Sequence, residues 1–205
     1  MNLELKKFLT TFFIYNEKSK NNERLFNRPY KWQGIKEDIK LINSLGPNLV
    51  LDLGCGDNRY KSLVDNLIGV DIAEKPEVDI VSDFTNLEFE DNSVDAIIAY
   101  GSINFGDEDL ITQQLQEAKR VLKDKGIICF RGSTTTRDFM YCWTEERCKY
   151  FTEKFNFKLV KKPKTVFRLN GNGNIKTDWK DGRAINYKGL DNSRELSRLS
   201  WTWLK

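Results

Sequence analysis

Histidine is missing altogether from the 205-residue chain, which removes the commonest general base and the commonest imidazole metal ligand. Cysteine is scarce. Cys55, Cys129, Cys142 and Cys148 include no Cys-x-x-Cys pair, so structural zinc is not expected and no residue is assigned to a metal. Free thiols in a reducing compartment are the simpler expectation, with Cys55 and Cys129 acting as small apolar residues. No apolar run is long enough to span a bilayer. Met1 to Tyr15 interleaves Leu3, Leu5, Phe8 and Leu9 with Lys6 and Lys7, and lacks both the unbroken apolar stretch and the small-residue cleavage site of a signal peptide. These absences lead us to expect a cytoplasmic protein with no membrane partner.

With 40% hydrophobic and 31% charged residues and no low-complexity tract, the chain has the composition of a folded globule. Its length suits one domain, 1–205. The formal net charge of +3 hides an asymmetry: residues 131–205 hold 17 Lys+Arg against 8 Asp+Glu, and residues 1–130 hold 16 against 22. The basic part is also rich in aromatics, including Tyr141, Trp143, Trp179, Trp201 and Trp203. That mixture suits either a polyanionic partner or a solvated basic face over an aromatic core.

Short apolar runs entered from polar or glycine-containing turns recur through the first two thirds of the chain. Asn48–Leu53, Leu67–Asp71, Val78–Val81, Val94–Tyr100 and Gly126–Arg131 read as five buried parallel strands. Between the last two, Leu110, Ile111, Leu115, Ala118, Val121 and Leu122 recur at helical spacing, with acids leading and Lys119, Arg120 and Lys123 trailing, which predicts a helix over Asp107–Leu122. A second helix is expected from an N-cap at Thr144 to Phe155. The linkers 72–77 and 85–92 are too short for crossover helices. Upstream, Glu4–Tyr15 and Lys36–Leu45 read as helices; downstream, Lys158–Phe167 and Arg198–Lys205 read as strands around a loop with Gly171, Gly173 and Gly182. Alternating strands and helices predict a doubly wound, mostly parallel α/β sheet with ligands at the carboxyl ends of its strands.

The chemistry concentrates in Val50-Leu51-Asp52-Leu53-Gly54-Cys55-Gly56-Asp57-Asn58, an acid in a strand followed at once by Gly-x-Gly. Glycine lets the backbone turn sharply there and admits a ligand with no Cβ in the way. Asp71 ends the next strand, where a carboxylate can accept from ribose hydroxyls. Asp83 follows the third strand, placed to accept from an adenine amino group with Phe84 packed nearby. Tyr100-Gly101-Ser102-Ile103-Asn104 closes the fourth with another small-residue turn.

Over about Asn48 to Ser133 this order of motifs resembles the class I S-adenosylmethionine-dependent methyltransferases, in their small type-11-like form. The resemblance implies a seven-stranded Rossmann-like sheet whose last two strands are antiparallel-arranged, and S-adenosyl-L-methionine as cofactor, leaving S-adenosyl-L-homocysteine. It places Asp52, Gly54, Cys55 and Gly56 at the cofactor's methionine part, Asp71 and Ile72 at the ribose, Asp83 and Phe84 at the adenine, and Tyr100 and Ser102 on the methyl-transfer side. Residues 1–47 become a helical or lid segment, in which Tyr30 and Trp32 fold over the cofactor or pack in the core. Residues 48–133 become the cofactor core, and 134–205 the substrate side.

The third glycine often found after Gly-x-Gly is absent, with Asn58 and Arg59 in its neighbourhood. A nicotinamide enzyme needs that glycine for its pyrophosphate, whereas a sulfonium cofactor carries no phosphate. No Asn/Asp-Pro-Pro-Tyr/Phe motif follows the fourth strand and no Pro-Cys pair occurs, against amino-methylating adenine and cytosine-C5 enzymes respectively. Cys129, inside a strand, is poorly placed as a nucleophile. The acceptor expected is a small molecule. RNA- or DNA-directed methylation through the basic aromatic part, and a non-catalytic cofactor-binding or assembly role, are the alternatives.

Overall fold

The computed structural model describes residues 32–134, 140–167, 179–180, 183–184 and 197–205; the expected helix at Glu4–Tyr15, Tyr30 and the loop with Gly171, Gly173 and Gly182 lie outside them. In chain order come α1 (Ile35–Ser44), β1 (Val50–Leu53), β2 (Leu67–Asp71), β3 (Ile80–Val81), β4 (Val94–Tyr100), α2 (Glu108–Val121), β5 (Leu122–Ser133), α3 (Glu145–Lys154), β6 (Lys158–Phe167), β7 (Trp179–Lys180), β8 (Arg183–Ala184) and β9 (Ser197–Leu204). β7 and β8 form a separate antiparallel pair.

The other seven strands make one sheet in the order β3-β2-β1-β4-β5-β9-β6. β1, β2, β3, β4 and β5 pair in parallel. β9 runs against both β5 and β6, so the two last strands oppose each other, and β9 is the one reversed strand of the seven. The third strand is shorter than its apolar run suggests, two residues in place of Val78–Val81, because Asp79 is drawn into a polar cluster described below. β5 is longer than expected at both ends.

Both later helices begin where side-chain oxygens cap them. Asp107 accepts from Leu110 N–H at 2.9 Å, and Thr144 accepts from Arg147 N–H at 3.2 Å, each replacing one backbone acceptor that a helix start lacks. The linkers 72–79 and 82–93 carry no helix, in keeping with their length.

Strand alternation sorts the two faces. On one, Leu51, Leu53, Ile97, Ile128, Phe130, Trp201 and Trp203 join Trp143 and the helix residues Leu115, Val121 and Phe151 in a single apolar cluster. Phe130 stacks on Trp201 with ring centroids 4.5 Å apart and meets Trp143 edge-on at 4.8 Å. Burying each such ring stabilises the fold by about 1.5–3 kcal/mol before ring–ring terms. On the opposite face α1 lays Ile35, Ile39 and Ile42 over Val50, Ala96, Ile98, Ile127 and Cys129. Helices therefore cover both faces, and the α1 face also carries buried charge.

Candidate active site

The turn after β1 is held by backbone bonds to the tip of β2. Gly54 N–H and Cys55 N–H both donate to Val70 O, at 2.7 and 3.2 Å. Gly54 takes φ +73°, and a Cβ there would stand 2.4 Å from Ser102 Cβ, so only glycine lets the first and fourth strand ends close on each other. Asp71, 1% exposed, accepts from Gly56 N–H at 2.9 Å through Oδ2 and from Ala73 N–H at 3.0 Å through Oδ1. Two carboxylate oxygens offer about four acceptor sites, so acceptor capacity remains for hydroxyl donors.

Asp52 is 3% exposed, and among the described residues its Oδ2 has no hydrogen-bond partner. Burial pushes its carboxyl up to about 7, with Arg59 opposing and Asp71 adding to the shift. A carboxylate buried without a donor is costly, and a cationic N–H group brought beside it would remove that cost. Ser102 Oγ is likewise buried without a partner. The turn thus presents an unsatisfied acid and an unsatisfied hydroxyl within closely packed backbone, which fits the ammonium-bearing part of an amino-acid-derived cofactor.

Burial, and after it the neighbouring acids, push the Cys55 thiol well up; buried Cys129 is pushed up to about 12. Both stay protonated, which rules out a thiolate nucleophile at neutral pH. Cys55 therefore contributes its backbone and its bulk. Ile72 is half-buried just past β2.

Asp83 uses Oδ1 to hold Thr85 N–H at 3.0 Å and Thr85 Oγ1 at 3.1 Å, an Asx turn that fixes the chain beyond β3. Phe84 is buried in the aromatic-side core. The Tyr100 hydroxyl donates to Asp38 Oδ2 at 2.7 Å, its ring meets Tyr60 edge-on at 5.8 Å, and burial foremost holds its hydroxyl well above the ordinary tyrosine range. Trp32 packs against the α1-side core, with the Arg198 guanidinium 5.3 Å from its ring.

Asn58 replaces the expected third glycine on physical grounds. It adopts φ +46°, a left-handed backbone that asparagine tolerates better than most residues. Its side chain fills the space above Gly69, donating to Glu77 O at 2.8 Å and Asp79 Oδ2 at 3.0 Å. Asp79 Oδ2 also accepts from Gly69 N–H at 2.7 Å and Lys61 Nζ at 2.8 Å. Partial burial opposes ionisation of Asp79, but these donors outweigh it and hold the carboxyl below its ordinary range.

Residues that sequence reasoning passed over stand at the fourth and fifth strand ends. Asn104, 1% exposed, accepts from Ser133 N–H at 3.0 Å and leaves its amide nitrogen unpartnered. Buried Arg131 and Asp38 pair at 3.0 Å. The signals for the pair were an acid inside the apolar stripe Ile35, Ile39, Ile42 and a cation continuing the inward register of Ile127 and Cys129.

This strand order, with a Gly-x-Gly turn after β1 and an acid at the tip of β2, is matched by known proteins. A family profile described as a methyltransferase domain matches residues 51–130. Over these residues, less than half of the chain, the sequence is similar to a type-11 methyltransferase domain. The domain shares its fold with the Burkholderia thailandensis 1,6-didemethyltoxoflavin-N1-methyltransferase, solved with 1,6-didemethyltoxoflavin and S-adenosylhomocysteine bound, at 14% identity and TM-score 0.62 over 97% of this chain and 89% of that one. A Thermotoga maritima S-adenosylmethionine-dependent methyltransferase, described as a possible histamine N-methyltransferase, aligns at 16% identity and TM-score 0.60 over 95% and 99%. An uncharacterised protein of Methanocaldococcus jannaschii is 30% identical over 128 residues, 57% of this chain and 49% of that protein. The chain spans about half the length of that relative.

Among the described residues no helix is long and apolar enough to cross a membrane, and no group of three or more His, Cys, Asp or Glu could hold a metal ion.

Proposed function

We propose that the chain transfers a methyl group from S-adenosyl-L-methionine to a small-molecule acceptor, releasing S-adenosyl-L-homocysteine. The observation that carries this reading is the buried, unpartnered Asp52 Oδ2 beside a glycine turn whose own N–H is already tied to Asp71. In this assignment Asp52, Gly54, Cys55 and Gly56 hold the methionine part, Asp71 and Ile72 the ribose, and Asp83 and Phe84 the adenine. Tyr100 and Ser102 line the methyl-transfer side.

When bound, the cofactor supplies a methyl carbon already made electrophilic by the sulfonium. The chain's own residues then have to fix the angle of approach and keep water out. No residue near the turn is poised as a strong base: histidine is absent and the thiols are protonated. Asp52, with its carboxyl near 7, is committed to the cofactor side. The acceptor is accordingly expected to bring a nucleophile that needs little deprotonation, such as an amine or ring nitrogen. The acceptor side is assigned to the described parts of the segments before β1 and after β5.

The nucleic-acid reading draws on Lys158, Lys162 and Lys164, exposed along β6. Lysines on an edge strand also serve to block strand pairing, and the buried cation nearby, Arg131, faces inward, which favours the small acceptor.

Incubation with methyl-labelled S-adenosylmethionine and fractionated cell extract tests the activity, with label expected in the metabolite fraction. Label confined to RNA, DNA or protein would transfer the reading to that class. Calorimetry with S-adenosylhomocysteine tests the site: Asp71→Ala removes a charged acceptor and is expected to weaken binding by about 1.5–3 kcal/mol. Unchanged affinity would remove the ribose assignment.

A further inference from the structure

Four charged or polar groups converge under α1 at the carboxyl edge of β4, β5 and β6. Asp38, 5% exposed, accepts from Arg131 Nη2 at 3.0 Å and Tyr100 Oη at 2.7 Å through Oδ2, and from Lys161 Nζ at 2.7 Å through Oδ1. Arg131 is 1% exposed. Of its five N–H donors only those on Nη2 are used: among the described residues Nε and Nη1 are buried with no hydrogen-bond partner. Its guanidinium also lies 4.5 Å from the Tyr100 ring.

Among the described residues two cations, Arg131 and Lys161, face the one carboxylate of Asp38. Buried charges are stable only when paired, and orphaned N–H groups carry a desolvation cost. A planar guanidinium with free N–H groups matches an oxyanion in a two-pronged arrangement.

The place also fits. Asp52, Ile98, Cys129 and Thr202 lie in one pairing row across the sheet, so Asp52 and Arg131 project to the same face. Two strand spacings separate β1 from β5, roughly 10 Å.

We propose that the acceptor carries an oxyanion, a carboxylate or phosphate, and that Arg131 with Lys161 receives it, Asp38 serving as the internal counter-ion that holds the cations in place until the acceptor binds. This rests on the methyltransferase reading above and adds the acceptor's charge class to it. Arg131 is then a specificity-determining residue.

The test uses the full chain saturated with S-adenosylhomocysteine, titrated with inorganic phosphate and, separately, acetate at constant ionic strength against chloride. Saturable binding of one of them near 1 mM is expected, and which one binds separates phosphate from carboxylate. Arg131→Gln should weaken it by about tenfold or more, the loss of a charge-assisted pair. Lys161→Gln should weaken it less, and Asp38→Asn should tighten it, because the competing internal anion is gone. That tightening distinguishes an anion site from a structural ion pair, whose disruption would only loosen it. If Arg131→Gln does not fold, the Asp38 and Lys161 variants decide. Absence of saturable binding by the wild type, or an Asp38→Asn variant that binds no tighter, overturns the proposal. Failure of the methyltransferase reading shows separately, as absence of S-adenosylhomocysteine binding; the anion titration is then read on the chain alone. In the label-transfer assay, product retained on an anion exchanger supports the oxyanion acceptor, and label only in neutral or cationic products overturns it.

Discussion

Neighbouring residues of β5 and β9 lead to opposite sides of the sheet and to opposite physics. Phe130 and Trp201 face an unbroken aromatic core, while Arg131 and Thr202, one position on, face α1 among buried charges. On the aromatic face Trp143 Nε1 donates to Ile103 O at 3.0 Å and Trp203 Nε1 to Thr152 Oγ1 at 2.7 Å, while Trp201 Nε1 has no partner among the described residues. Among the described residues the α1 face leaves Asp52 Oδ2 and two Arg131 nitrogens without partners. One side of the sheet is packed mainly by aromatic rings, and the other combines apolar packing with buried charge.

That contrast can be broken by substitution. The largest effect is expected from Phe130→Ala on the aromatic face: about 3–5 kcal/mol of stability lost, read by urea unfolding, with S-adenosylhomocysteine affinity of the folded fraction unchanged. A variant that kept its stability and lost the ligand would invert the assignment of the two faces. Gly54→Ala should act the other way round. Its Cβ meets Ser102 and its φ of +73° disfavours any side chain, so ligand affinity should fall by about tenfold or more, on a left-handed cost of about 1–2 kcal/mol plus the steric clash. Equal affinity in wild type and variant would mean that the turn does not seat the ligand.

A pH series sharpens the comparison further. The Asp52 carboxyl sits near 7 in the folded chain against an ordinary 3.8, so between about pH 4 and pH 7 the folded state holds a proton that the unfolded state has released. Asp52 therefore subtracts stability progressively as pH rises through that window and subtracts no more above it. Wild type should lose stability relative to Asp52→Asn over those units, and parallel stability curves would refute the shift. Ligand binding should strengthen over the same range as the carboxylate forms. The smallest effect belongs to neither face: Lys149 and Glu153 are exposed on α3 at 3.9 Å, and Lys149→Ala should change stability by less than about 0.5 kcal/mol.

Much of this architecture is legible in the sequence wherever a local pattern carries it. The runs at Leu67–Asp71, Val94–Tyr100 and Lys158–Phe167 appear with those bounds, and the caps at Asp107 and Thr144 mark α2 and α3. Asp52, Gly54 and Asp71 come together because strand ends and tight turns have sequence signatures. What stayed hidden depends on pairing across distance. Asp79 looks like a strand residue until Asn58, Lys61 and Gly69 are seen to gather on it. Arg131 reads as the polar end of a strand, since nothing in the local sequence shows that Asp38, 93 positions earlier, closes over it. The hydrogen bond from the Tyr100 hydroxyl to that same carboxylate is equally invisible to local pattern.

β9 lies between β5 and β6 yet follows both in the chain, so β6 reaches the sheet only through a strand synthesised later. Any intermediate that forms before β9 docks presents two open edges at once and leaves Phe130 without its stacking partners. Such a species would be the one most prone to join neighbouring molecules, and the arrival of Trp201 and Trp203 is the step that ends that hazard.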